Sequence, residues 1–271
     1  MQDLAGKVAV ITGGASGIGF ATARSLAREQ VKVVLADIER AALDEAVAVL
    51  QGAGADVVGI RTDVGDKASV EALADQSWSR FGSVHIVFNN AGVAVAGPTQ
   101  SATHADWEWS IRVNLWGPIH GVEAFVPRMI AQKQGGHILF TASFAGLVPN
   151  RNLGAYCVTK FGVVALAECL SRDLKEHGID VSILAPMRVA TNIATSSRNR
   201  PIELGGPSVT KIYSEQERAS LSGRELPVEA VGDLVVEAIR RKDLYIQTHR
   251  EAREFLRRRW ERMDLGFTHA L

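Results

Sequence analysis

KVAVITGGASGIG, residues 7–19, passes from one structural pattern to another without a break. KVAVIT is an apolar, β-branched run without alternation, as expected of a strand covered on both faces. The residues that follow, IGFATARSLAREQ, carry apolar side chains at helical period. Between them the turn places Gly13, Gly17 and Gly19 in a GxxxGxG spacing. Glycines at such a turn let an anion approach the backbone N–H groups and the positive end of the following helix. The turn residues Gly13, Ser16, Gly17, Ile18 and Gly19 are therefore candidate binders of a pyrophosphate. A Gly-rich turn alone says little, but the strand before it and the helix after it are the context in which the motif carries meaning.

The same alternation continues along the chain. Further short apolar runs are VKVVLAD (31–37), DVVGIRTDV (56–64), VHIVFNNAG (84–92), GGHILFTAS (135–143), DVSILAP (180–186) and LYIQT (244–248), separated by stretches such as RAALDEAVAVLQGAG, whose closing glycines suit a helix C-terminus. Strands alternating with helices imply βαβ units with right-handed crossovers. The expectation is an α/β fold, a Rossmann-type doubly wound parallel sheet of about seven strands with helices on both faces, forming one domain over residues 1–271. One segment breaks the rhythm. Residues 187–226 are polar, contain Pro and Gly, and follow the C-terminal end of the sixth strand, the place for a substrate lid.

Composition narrows the function classes. Thirty Lys and Arg balance thirty Asp and Glu, which argues against nucleic acid or an anionic membrane as the main partner. The N-terminus has no signal-peptide pattern and no run reaches the ~18 uninterrupted apolar residues of a spanning helix, so a cytoplasmic location is expected. Cys157 and Cys169 stand twelve residues apart on one expected helix, about 18 Å, too far for a disulfide, and read as core thiols. No HExxH or CxxC spacing suggests a metal. The Arg-rich tail from residue 250 reads as a solvated or subunit-facing helix and is assigned no chemistry.

Asp37 ends the second strand eighteen residues after Gly19, at about the offset where a carboxylate accepts hydrogen bonds from an adenosine ribose. A carboxylate there repels a 2′-phosphate, which favours NAD over NADP. Arg40, close by, is a candidate to turn towards such a phosphate, and Asp37 has an alternative use as a helix N-cap. Asp63 and Val64 close the third strand, and Asn90, Ala91 and Gly92 close the fourth, all on the sheet edge where ligands bind in this topology.

A helix starting near residue 154 would bring Tyr156 and Lys160, at i and i+4 in LGAYCVTKFG, onto one face. Alone, the pair is equally a half-buried Tyr beside a snorkelling Lys. In company it is specific: TGGASGIG (12–19), Asp37, Asp63-Val64, NNAG (89–92), Asn114 in VNLWG, Ser143 in FTAS and YCVTK (156–160) occur in this order, and over residues 5–248 the chain resembles the short-chain dehydrogenase/reductase family. The GxxxGxG spacing disfavours the related epimerase-like branch, which usually shows GxxGxxG. The resemblance implies a catalytic tetrad of Asn114, Ser143, Tyr156 and Lys160. Tyr156 is the general acid/base, Ser143 binds the substrate oxygen, Lys160 holds the nicotinamide ribose, and Asn114 orders a water relay. It also implies a homotetramer packed through the helices near 103–133 and 154–176. A free Tyr has a pKa of ~10, about 4 kcal/mol from being a phenolate at neutral pH. One cation shifts a pKa by ~1–3 units, so Lys160 and oxidised nicotinamide together are expected to bring Tyr156 near working pH.

After the sixth strand the family usually has Pro-Gly, then Val and Thr. Here Pro186 is followed by Met187, with Val189 and Thr191 beyond, and Pro186, Val189 and Thr191 are expected at the nicotinamide end. Val95, Phe144, Leu153 and Met187, with Ser143, are the expected substrate pocket, and its apolar side chains suggest a lipophilic secondary alcohol or its ketone. TNIATSSRNRP (191–201) is similar to dehydrogenases of the benzylic alcohols of lignin-type aryl ethers and to terpenoid alcohol dehydrogenases. Function is thus expected to be hydride transfer between NAD and a small-molecule alcohol or ketone. The alternative is a catalytically silent dinucleotide sensor or scaffold on the same fold.

Overall fold

The seven apolar runs become seven strands of one sheet: β1 (Val8–Thr12), β2 (Lys32–Asp37), β3 (Val57–Arg61), β4 (Ile86–Asn89), β5 (Gly136–Thr141), β6 (Ile179–Ala185) and β7 (Tyr245–Gln247). The structure, a computed structural model, describes residues 1–207 and 223–269. Strand order is β3-β2-β1-β4-β5-β6-β7, and every pairing is parallel. The doubly wound α/β architecture expected from the alternation is therefore present. The order reverses between β1 and β4, which opens a crevice beyond the C-terminal ends of these strands.

Why the strand runs lack alternation is visible in β1. Val8 and Val10 point into one apolar layer and Ala9 and Ile11 into another. The first layer packs the sheet against α3 (Lys67–Phe81), α5 (Gly117–Gln132) and α6 (Gly154–Asp173), through residues such as Leu73, Phe125, Met129, Val163 and Ala167. The second packs it against α1 (Gly17–Arg28), α2 (Arg40–Gly52) and α7 (Val228–Arg241), through Leu26, Leu43, Val235 and Ile239. Removing such side chains from water contributes about 1.5–3 kcal/mol each. α1 and α7 approach closely because Gly232 has no side chain: a Cβ there would stand 2.7 Å from the Ala21 backbone.

α4 (His104–Ile111) opens with a capping box: Asp106 N donates to Thr103 Oγ1 at 3.2 Å, and Thr103 N donates to Asp106 Oδ2 at 2.9 Å. Between α4 and α5 the chain stays helical but widens into a π segment at Arg112–Trp116. One residue of that segment is Asn114. Such single-turn widenings interrupt the 3.6-residue period and re-aim a side chain. α8 (Ala252–Asp264) packs its Phe255 edge-on against Phe144 at 5.9 Å between ring centroids.

One expectation needs correction here. Cys157 is buried but Cys169 is exposed, because twelve residues at about 100° each carry it ~120° around α6 from Cys157. α6 also meets the length and composition of a membrane-crossing helix, with a mean hydropathy of 1.2 over an 18-residue window, although no uninterrupted apolar run marks it. Here it packs between the sheet and the π segment and carries Tyr156 and Lys160.

Of the segment expected as a lid, residues 208–222 lie outside the described residues. Its two ends are tied together: Ala190 N donates to Leu226 O at 3.0 Å and Leu226 N to Arg188 O at 3.0 Å. Residues 192–199 and 202–204 form 3₁₀ turns, and this stretch is pinned to the body at several points. Ala94 N donates to Ser196 Oγ at 3.0 Å. Arg200 pairs with Asp106 of α4 at 2.6 Å while lying over the Trp109 ring, and Arg112 pairs with Glu203 at 3.6 Å.

Candidate active site

The crevice at the strand reversal encloses about 1280 Å³, open solvent at its mouth included. Gly13, Ser16, Gly17 and Ile18 line it together with Ser143, Tyr156, Lys160 and Pro186. Asp37, Asp63, Val64, Asn90, Ala91, Gly92, Met187, Val189 and Thr191 also line it.

The glycine turn is shaped by close approach. Gly13 and Gly17 have φ of +61° and +55°, and a Cβ on Gly13 would stand 2.9 Å from Ala91 Cα. Gly19 is not in the crevice wall. A Cβ there would meet Gly13 O at 2.2 Å, so this glycine lets α1 close against the turn. Ser16, the N-cap of α1, makes no side-chain capping bond, and the first turn has no acidic residue. The leading N–H groups and the positive helix end thus face the crevice without a protein anion, which suits a pyrophosphate.

Asn90 fastens this turn to β4 and β5. Its Nδ2 donates to Thr12 O at 3.0 Å and Gly13 O at 3.1 Å, and Thr141 Oγ1 donates to its Oδ1 at 2.9 Å. Thr12 Oγ1 in turn accepts from Asn90 N and Ala91 N at 3.0 and 3.1 Å. Asp37 is not the N-cap of α2; that position is Glu39. Its carboxylate accepts from Ala15 N at 3.0 Å and Glu39 N at 3.1 Å, and burial outweighs these bonds to push its carboxyl above the ordinary range. Each oxygen keeps a lone pair for a further donor. Asp63 accepts from Gly65 N at 2.8 Å and from Arg112 Nη2 at 3.3 Å. Arg40 is not in the crevice wall but pairs with Asp44 at 2.9 Å on the exposed side of α2.

Lys160 is only 3% exposed and its Nζ donates to Thr141 O at 2.8 Å. The same Nζ lies 5.6 Å from the centroid of the Tyr156 ring. Burial depresses the Lys160 ammonium to about 8. It raises the Tyr156 phenol to about 12, against a lowering hydrogen bond with the Ser143 side chain. The chain's own groups therefore move the phenol away from neutrality, because desolvation of the buried phenolate exceeds what the Ser143 hydrogen bond returns; the expected approach to working pH counted the charge of oxidised nicotinamide as well.

Ser143 does cap a short turn, accepting from Ala145 N at 3.1 Å, yet it also faces the crevice. Asn114 is wholly buried behind the wall. Val93 N donates to its Oδ1 at 2.8 Å, and its Nδ2 donates to Val93 O at 2.8 Å and Thr159 Oγ1 at 3.3 Å. A Cβ on Gly92 would lie 3.3 Å from both Asn114 Oδ1 and Lys160 Nζ, which places the three residues around one corner.

Of the expected substrate pocket, the structure brings Ser143 and Met187 to the crevice but not Val95, Phe144 or Leu153. Val95 lines a separate, smaller cavity beside Gly97 and Ala155. Phe144 turns under the sheet end against Phe255, and Leu153 packs with Ala145 and Cys157. The apolar wall instead includes Val93, Trp109, Val113 and Ile193. Buried Trp109 is five residues before Asn114, and no local motif marks it. Glu39, Arg198 and Asn199 also line the crevice; their contact spans about 160 residues of chain and leaves no local signal.

Residues 7–201 match the family model described as short chain dehydrogenase. The chain is similar to a Cα-dehydrogenase of Sphingobium sp., 35% identical over 267 residues that cover 96% of this chain and 86% of that one. A crystal structure of a short chain dehydrogenase/reductase from Burkholderia phymatum in complex with NAD superposes with a TM-score of 0.91 at 41% identity, covering 98% of this chain and 97% of that one. The apo form of LigD from Sphingobium sp. gives a TM-score of 0.81 at 31% identity, over 96% of this chain and 97% of that one. With fold, glycine turn and sequence in agreement, the chain belongs to the short-chain dehydrogenase/reductase family of oxidoreductases.

Proposed function

We propose that this protein interconverts a lipophilic, aryl-bearing secondary alcohol and its ketone with NAD as hydride carrier. The observation that carries the reading is that Ser143, Tyr156 and Lys160 line the same crevice as the glycine turn. NAD fits that crevice on its chemistry. Gly13, Ser16, Gly17 and Ile18 offer backbone N–H groups to a pyrophosphate, Asp37 offers carboxylate oxygens to ribose hydroxyls, and Asp63 and Val64 meet the adenine. Asn90, Ala91, Gly92, Pro186, Val189 and Thr191 complete the wall. When bound, the nicotinamide accepts or returns the hydride, and its oxidised ring brings a positive charge.

Tyr156 holds the proton that must move. With its phenol raised to about 12, it is protonated at neutral pH and suited to donate to a ketone oxygen. In alcohol oxidation the same oxygen must accept the hydroxyl proton, which requires further positive charge beside it. Lys160, at about 8, is mostly cationic at pH 7 and stands over the Tyr156 ring. Ser143 donates to the substrate oxygen and aligns it with the phenol. Asn114 fixes the turn at Val93 against α6, and the remaining lone pair on its Oδ1 is available to a relay water. Val93, Trp109, Val113 and Met187 supply the apolar wall for the rest of the substrate.

A panel of aryl, terpenoid, steroid and small polar alcohols, assayed by NADH formation, tests the substrate class. Turnover of aryl or terpenoid alcohols is expected. Turnover confined to polyols or acyl thioesters refutes it.

A further inference from the structure

Of the residues lining the crevice, among those described, two are basic, Lys160 and Arg198. Lys160 is committed to Thr141 near the catalytic end. Arg198 comes from the stretch after β6 and lines the crevice together with Asp37 and Glu39 from the end of β2. All three nitrogens of its guanidinium donate. Nη2 donates to Glu39 Oε1 at 2.6 Å, Nε donates to Glu39 Oε1 and Oε2 at 3.1 and 3.2 Å, and Nη1 donates to Thr195 O at 3.0 Å and Thr195 Oγ1 at 3.1 Å. Asn199 Nδ2 also donates to Glu39 Oε1, at 2.9 Å. The two charged side chains are 35% and 33% exposed, so a ligand reaches them and their pairing adds little to stability.

This placement matters for coenzyme choice. Asp37 is the residue that would take the adenosine ribose hydroxyls, and Glu39 stands two residues further along the same loop. An arginine near that ribose is what accommodates a 2′-phosphate, through charge-assisted, often bidentate hydrogen bonds. Arg198 has the right chemistry and lines the right crevice, but Glu39 already occupies the bidentate face of its guanidinium. Moving Arg198 to a phosphate would leave Glu39 without its ion-pair partner beside the same phosphate and beside Asp37.

We propose that Glu39 is a positioning residue for coenzyme choice: by holding Arg198, it denies NADP the cation its 2′-phosphate would need. Asp37 discriminates by its own charge, whereas Glu39 acts through Arg198. Replacing Glu39 alone should therefore turn an NAD site towards NADP without any new cation being introduced. The proposal rests on the reading of the crevice as a dinucleotide site.

The test is a fluorescence titration of NADH and NADPH into the full-length wild type, Glu39→Gln, Arg198→Ala and the double variant, with Glu39→Ala as a second route if Glu39→Gln folds poorly. The readout is the ratio of the NADPH to NADH dissociation constants, which a general loosening of the loop would leave in place. Glu39→Gln is expected to lower that ratio by roughly tenfold or more, the effect of one good hydrogen-bonded charge contact. The double variant is expected to return it to within about threefold of Arg198→Ala. An unchanged ratio in Glu39→Gln and Glu39→Ala, or a gain that survives removal of Arg198, overturns the proposal while NADH binding stands. If the wild type binds neither nucleotide, the dinucleotide reading itself falls.

Discussion

Asn114→Ala removes a side chain that ties the turn after β4 to α6, and its consequence can be worked through bond by bond. Asn114 has no solvent exposure and makes three hydrogen bonds, two to the Val93 backbone and one to Thr159. Val93 is itself buried, so truncation leaves a buried N–H and a buried carbonyl without their partner. Each such orphan costs about 1–3 kcal/mol, giving about 2–6 kcal/mol in total. In a chain of this size each kcal/mol lowers Tm by about 2–4 °C, so a fall of at least about 4 °C is expected. Calorimetric unfolding, with the urea midpoint as a second probe, measures it. Asn114→Asp keeps the shape but turns the donor towards Val93 O into a buried anion, and it should cost at least as much at pH 7. A fall below about 2 °C in both variants would refute the reasoning. The turn carrying Gly92 would then be held by something other than the π segment.

Three further outcomes follow from the same geometry. Gly19→Ala would put a Cβ 2.2 Å from Gly13 O and 2.6 Å from Asn90 Nδ2, so α1 must withdraw from the turn. A loss of about 1–3 kcal/mol in urea unfolding and weaker NADH binding are expected, and unchanged values would show that the turn does not depend on that contact. Arg40→Ala, which breaks only the exposed pair with Asp44, should change the NADPH to NADH affinity ratio by less than about twofold. A large loss of NADPH affinity would return Arg40 to the crevice. His137 is wholly buried on β5 and burial lowers its pKa to about 3, so the unfolded chain binds a proton that the folded chain refuses between the ordinary value and about 3. Stability should fall as pH drops through that window, by up to about 1.4 kcal/mol per pH unit from this group. His137→Gln should reduce the slope of the urea midpoint between about pH 6 and 5, and an unaltered slope would contradict it.

Much of this molecule was legible in its sequence because the signals were local. Val8 to Thr12 are apolar on both faces, and only a strand between two helix layers has that need. Gly13 and Gly17 predict positive φ where they stand, and Tyr156 and Lys160 share a helix face by spacing alone. What stayed hidden depends on where a turn points a side chain or on distant contacts. Phe144 and Leu153 are apolar beside catalytic candidates, but the 3₁₀ turn at Phe144–Gly146 and the start of α6 aim them into the protein. Trp109 and Asn114 sit on either side of the change from α to π geometry, so a constant helical period misjudges their relative facing. Glu39 and Arg198 meet across the chain, and Arg40, the nearer basic residue in sequence, turns out to face Asp44. The burial that raises the Tyr156 phenol to about 12 likewise leaves no mark in residue type or spacing.

The most direct measurement is the initial rate of NADH formation by wild type and Tyr156→Phe, on whichever alcohol the wild type oxidises fastest. Loss of the phenolic oxygen removes the group assigned the proton, so the rate should fall at least about a hundredfold. A Tyr156→Phe protein that keeps its rate within about threefold of wild type would contradict the account, since proton transfer would then run through another group.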